Sequence, residues 1–110
     1  MNDHLAETGP VVVALPAEID VTNSDAVYKQ LIAALAPGVP AVIADLTGTS
    51  FCDSSGVHAI VRAHEEAATR QIALRAAVAP EGSVRRVLQL IGAVHVLPVH
   101  STVAEALSAV

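Results

Sequence analysis

Aromatic side chains are nearly missing from this sequence. There is no tryptophan, one phenylalanine and one tyrosine, 2% of 110 residues, while 53% are hydrophobic. A core must then be built from Val, Leu, Ile and Ala, which suits helices lying close on a sheet. Cysteine is scarce too: Cys52 stands alone, so no internal disulfide can form, and a reduced, cytoplasmic protein is expected. Basic residues are few, six against eleven acidic, for a net charge of −5. That balance opposes approach to a nucleic-acid backbone or an anionic lipid surface. The longest apolar runs, such as Pro10 to Leu15 and Ala41 to Ala44, fall far short of the roughly 18 residues a membrane span needs, so no membrane insertion is expected. The opening Met1-Asn2-Asp3-His4 is polar and acidic, unlike a signal peptide.

What is present is an alternation of short apolar runs and helical patterns, with no repeat or linker, so one domain over 1–110 is expected. Val11 to Leu15 reads as a buried strand, with a weaker one near His4 to Thr8. Thr22-Asn23-Ser24-Asp25 supplies N-cap oxygens for a helix carrying Ala26, Val27, Leu31, Ile32 and Leu35, stopped by Pro37-Gly38. Ala41 to Leu46 has the composition of a central strand covered by helices. A second helix is predicted from Asp53–Gly56 to about Arg70. Val57, Ile60, Val61, His64 and Ala68 would form its inner face, and His58, Arg62, Glu65, Glu66 and Thr69 its outer one. Ile72 to Val78 reads as a strand, and Ser83 to Ile91 as a short helix with Val84, Val87, Leu88 and Ile91 inward, ended by Gly92. A last strand is predicted over Val94 to Val99. Thr102 with Glu105 is a capping-box signal for a terminal helix carrying Val103, Ala106, Leu107 and Val110. The class is α/β, a mostly parallel sheet of four to five strands with about four helices, in which function tends to sit at the carboxyl ends of strands.

The loop after the Ala41 to Leu46 strand leads straight into the second helix, which places Asp53, Ser54 and Ser55 at a helix N-terminus. Asp53 or Ser54 can accept hydrogen bonds from the free N–H groups of the first turn, a sufficient structural reason for these residue types. The same geometry would favour a phosphate on Ser54, since its charge of about −1.5 to −2 would face the positive end of the helix dipole. Gly56 either admits a docked partner or lets the helix pack tightly on its strand.

Val42-Ile43-Ala44-Asp45-Leu46 followed by Phe51-Cys52-Asp53-Ser54-Ser55-Gly56-Val57 resembles the STAS fold of bacterial anti-sigma factor antagonists. Leu15-Pro16-Ala17-Glu18-Ile19-Asp20, Ser83-Val84-Arg85-Arg86-Val87-Leu88 and Leu90-Ile91-Gly92-Ala93 agree in order and spacing, so the resemblance covers nearly all the chain. It implies a non-enzymatic protein that binds an anti-sigma factor, often itself a serine kinase, and so frees a sigma factor. It further implies phosphorylation at Ser54, which ends binding, and reversal by a PPM-type serine phosphatase. Glu18, Asp20, Asn23, Asp53, Ser55, Gly56 and His58 would lie on the partner-binding surface. Ala17 stands where the family usually has glycine, and Val57-His58 where Leu-Gly is commoner. A constitutive module of the same fold, such as the subunit that docks on a lipid-transport ABC ATPase, is the alternative.

Other chemistries find little support. A serine hydrolase would pair Ser54 or Ser55 with His58 or His64, but no Gly-x-Ser-x-Gly elbow is present. A cysteine phosphatase needs an arginine where His58 stands. The five histidines, His4, His58, His64, His95 and His100, show no metal-ligand spacing, and there is no phosphate-binding glycine loop, so neither metal nor cofactor is expected. Arg85-Arg86 reads as a solvated pair at an exposed helix start.

Overall fold

The computed structural model describes residues 9–110. The strand expected near His4 to Thr8 lies outside the described residues. Four strands, β1 (Val11–Ala14), β3 (Ala41–Asp45), β5 (Ala73–Ala77) and β6 (Val99–His100), form one sheet in the order β1-β3-β5-β6, and every pair is parallel. Two further strands, β2 (Glu18–Ile19) and β4 (Phe51–Cys52), pair with each other as a separate parallel ribbon. Among the described residues there are four α-helices: α1 (Ser24–Ala34), α2 (Ser54–Thr69), α3 (Ser83–Ile91) and α4 (Val103–Ser108). The mixed α/β architecture agrees with the class expected from the alternating pattern.

β3 occupies the middle, and Ala41, Val42, Ile43 and Ala44 are fully buried. Period two then divides the sheet into two faces. Val13, Val42, Ala44, Leu74 and Ala76 join Val27 and Leu31 of α1, Val57 and Ile60 of α2 and Val84 and Leu88 of α3 in the main core. Ile43 and Ala77 on the other face meet Ala106 and Val103 of α4.

The helix faces differ in detail from the periodic reading. On α2, Ala59, Ala63 and Ala67 are buried, Val61 and His64 are half-buried, and Ala68 is exposed. Ala63 and Ala67 join the main core with the sheet, while Ala59 lines the side facing α1; an apolar count weighted to larger residues passes over these small side chains. Ile91 and Leu107, expected inward, are exposed to 40% and 37%.

The predicted strand over Val94 to Val99 is a correction. Ala93–His95 forms a single 3₁₀ turn, and only Val99–His100 joins the sheet. Gly92, in the left-handed conformation (φ 87°), ends α3, and the turn that follows buries Ala93 and Leu97 through the Leu97 N–H to Ala93 O bond of 2.8 Å. The β-branched run thus follows core contacts rather than the ladder. At α4 the capping signal is realised: the Glu105 N–H donates to Thr102 Oγ1 at 3.0 Å, and Glu105 Oε1 accepts from the Ser101 N–H at 3.1 Å.

Arg85 is not simply solvated. Its guanidinium donates to Val78 O at 2.7 Å and to Ser101 Oγ at 3.3 Å, tying α3 to the ends of β5 and β6, while Arg86 is exposed.

Candidate functional site

The β2-β4 ribbon follows the carboxyl ends of β1 and β3 in the chain, and its register sets the site. Glu18 lies opposite Phe51 and Ile19 opposite Cys52, and the Asp53 N–H donates to Ile19 O at 3.1 Å. Alternation turns Ile19 and Cys52 inward and leaves Glu18 and Phe51 exposed. Side chains fasten the surrounding loops: Asp45 Oδ1 accepts from the Thr47 N–H at 2.9 Å, Thr49 Oγ1 donates to Pro16 O at 2.8 Å, and Ser83 Oγ donates to Ser50 O at 3.0 Å.

Asp53 is the N-cap of α2. Its Oδ1 accepts from the Ser55 N–H at 3.0 Å, the Gly56 N–H at 3.1 Å and the Ser55 hydroxyl at 2.6 Å. The Ser55 hydroxyl foremost holds the Asp53 carboxyl below its ordinary value; desolvation, second in size, opposes it, and the N–H groups of Gly56 and Ser55 add to the lowering. Asp53 therefore does the capping, and Ser55 is spent on Asp53. Ser54, the first helical residue, is exposed, and its hydroxyl has no hydrogen-bond partner among the described residues.

Gly56 is buried against the ribbon: a Cβ there would lie 2.6 Å from Cys52 Sγ and 2.7 Å from Ile19 Cγ2. Its place in the site is to seat the helix start. Cys52 is buried beside it, and burial foremost, with the Asp53 charge second, pushes its thiol up to about 11. A thiol so placed is neutral and a poor nucleophile at neutral pH.

The loop from Glu18 to Asn23 lies alongside. The Asn23 amide spans it, donating to Glu18 O at 2.8 Å and accepting from the Asp20 N–H at 2.9 Å, while Asp20 Oδ1 accepts from the Thr22 N–H at 2.9 Å. Of the predicted surface, Glu18 and His58 are exposed, Asp20, Asn23, Asp53 and Ser55 are half-buried, and Gly56 is buried. The ribbon pairing, the Asp53 N–H to Ile19 O bond and the Asn23 bridge set Glu18, Asp20 and Asn23 beside the start of α2, which carries Asp53, Ser55, Gly56 and, a turn on, His58.

A shallow cleft between α1 and α2, lined by Ser24, Asp25, Ser55, His58, Ala59 and Arg62, borders this end. The Arg62 guanidinium lies 4.2 Å from the Tyr28 ring centroid, a cation–π contact across the two helices. Two exposed apolar side chains, Phe51 of β4 (47% exposed) and Val21 of the Glu18 to Asn23 loop (75%), stand here and were missed by the sequence reading. Phe51 carried a signal: it is one of two aromatics, placed one residue before an apolar Cys52 in a strand-like dipeptide.

Among the described residues neither Ser54 nor Ser55 hydrogen-bonds to a histidine. The Ser55 hydroxyl is directed to Asp53, and His64 Nδ1 lies 3.3 Å from Leu74 O on the sheet side of α2. Among the described residues no three His, Cys, Asp or Glu side chains converge as a metal site, and no helix is long and apolar enough to cross a membrane.

Comparison with known proteins agrees with the fold. The STAS domain family model matches residues 4–106. Among solved structures, an anti-sigma factor antagonist from Mycobacterium paratuberculosis superposes with a TM-score of 0.82 at 26% identity, covering 93% of this chain and 86% of that one. An anti-sigma-factor antagonist (STAS) domain protein from Planctomyces limnophilus gives 0.72 at 28% identity, over 89% and 86%. The anti-sigma factor antagonist SpoIIAA in its unphosphorylated form shares the fold, with a TM-score of 0.60 at 20% identity over 88% and 84%. Comparison with curated proteins found no match.

Proposed function

The chain belongs to the STAS domain family, and from that premise we propose that it is an anti-sigma factor antagonist switched by phosphorylation at Ser54. The observation that carries this reading is the division of labour at the start of α2: Asp53 caps, Ser55 supports Asp53, and the Ser54 hydroxyl is left exposed. A residue needed for the cap could not be modified without loss of the helix start, and Ser54 is not so needed.

In its unmodified form the protein would bind an anti-sigma factor through the end of the molecule that carries Glu18, Asp20, Asn23, Phe51 and Ser54, and a sigma factor is thereby released. An anti-sigma factor with serine kinase activity transfers the γ-phosphoryl group of ATP to Ser54 Oγ; ADP leaves and the hydroxyl proton is lost. The new dianion adds charge and bulk at the centre of the docking surface, where burying it against a partner is costly. A PPM-type serine phosphatase returns the hydroxyl. The protein supplies no catalytic residue to either step.

Incubation with the cognate kinase and ATP should add one phosphate, which intact-mass measurement and peptide mapping place on Ser54. A folded protein that remains unmodified, or is modified at Ser55 instead, defeats the proposal.

A further inference from the structure

Ser54, His58 and Arg62 follow one another at intervals of four along α2, and all three are exposed. Residues four apart on a helix have Cβ atoms about 5–6 Å apart, and a helical side chain leans over the turn that precedes it. That spacing puts the His58 side chain within reach of the turn that Ser54 begins. His58 also lines the cleft shared with Asp25, Ser55 and Arg62.

The charged groups around His58 have partners of their own. From α1, Asp25 faces the cleft and pairs with Lys29 at 3.2 Å. Along α2, Arg62 lies over the Tyr28 ring. At the cap, Asp53 accepts from Ser55 and Gly56. His58 makes no hydrogen bond or ion pair among the described residues.

We infer that His58 is the internal counter-ion of a phosphate on Ser54. Once the phosphoserine forms, the protonated imidazole donates a hydrogen bond to a phosphate oxygen and holds the group against the first turn of α2, where the helix dipole also favours it. The inference rests on the reading of Ser54 as phosphoacceptor and adds a regulation to it. Pairing with His58 sets the net charge that the modified protein presents to a partner.

Phosphoserine inserted at position 54 during translation gives the modified protein without any kinase. The ³¹P shift of that phosphate is then followed against pH in the unsubstituted protein and in His58→Gln and His58→Lys forms; residue 58 is exposed, so neither change disturbs the core. The second ionisation of the phosphate should lie about half a unit lower with His58 than with glutamine, the effect of one charge about 5 Å away in water. His58→Lys should restore the low midpoint. Equal midpoints in all three forms overturn the pairing while leaving the phosphoswitch standing. Failure of a kinase to modify Ser54 would defeat the switch without touching this titration.

Discussion

A Cβ on Gly56 would lie 2.6 Å from Cys52 Sγ, so the first turn of α2 is pressed onto the β2-β4 ribbon as closely as a backbone permits. That contact joins the fold to the site, because the ribbon and the turn together carry Glu18, Phe51, Asp53 and Ser54. Gly56→Ala should therefore destabilise the protein by about 1–3 kcal/mol, the usual cost of overpacking a well-filled core. Adding Cys52→Ala should return part of the loss, since Ile19 Cγ2 at 2.7 Å would remain in the way. Urea unfolding of the two variants measures both effects, and an unchanged midpoint for Gly56→Ala would refute the tight seat.

The Asp53 cap predicts a pH dependence. Its carboxyl ionises at a lower pH in the folded chain than in the unfolded one, so its contribution is complete above the unfolded value, about pH 4, and is lost as pH falls through the folded value. Compared with Asp53→Asn, the unsubstituted protein should melt at a higher temperature near neutrality, and the two should converge in acid. A gap in Tm that stays constant from neutral to acidic pH would contradict the cap.

Cys52 predicts the opposite slope. Its folded value, about 11, is above the ordinary 9.0, so its contribution is present below pH 9.0 and is lost as pH rises toward 11. Stability should decline across that window in the unsubstituted protein and less so in Cys52→Ala. At about pH 8 the thiol should react with iodoacetamide far more slowly than a free cysteine. Rapid alkylation of the folded protein would show that Cys52 is not sealed.

Much of this was legible in the sequence, for particular reasons. The start of α2 could be read because Asp53-Ser54-Ser55-Gly56 concentrates capping residues after an apolar run, and α4 because Thr102 and Glu105 have the capping-box spacing. The end of α2 at about Arg70 was also legible, though not the turn that follows it. Gln71 takes a left-handed conformation (φ 60°) usually left to glycine, and the chain turns there because the Ile72 N–H reaches Ala67 O at 2.9 Å and buries Ile72. β2 and β4 are two residues each, too short for any period to show, and their pairing is a long-range fact. Val94 to Val99 misled because β-branched residues serve a buried turn as well as a strand. Arg85 looked solvated because its acceptors, Val78 O and Ser101 Oγ, come together only in the folded chain.

The exposed Ser54 hydroxyl is the centre of the account, and its direct test is the affinity of one anti-sigma factor for the protein with serine and with phosphoserine at position 54, by isothermal titration calorimetry. The account predicts binding of the serine form and a loss of at least about 30-fold, ~2 kcal/mol, for the phosphoserine form at unchanged thermal stability. Equal affinities for the two forms would contradict it.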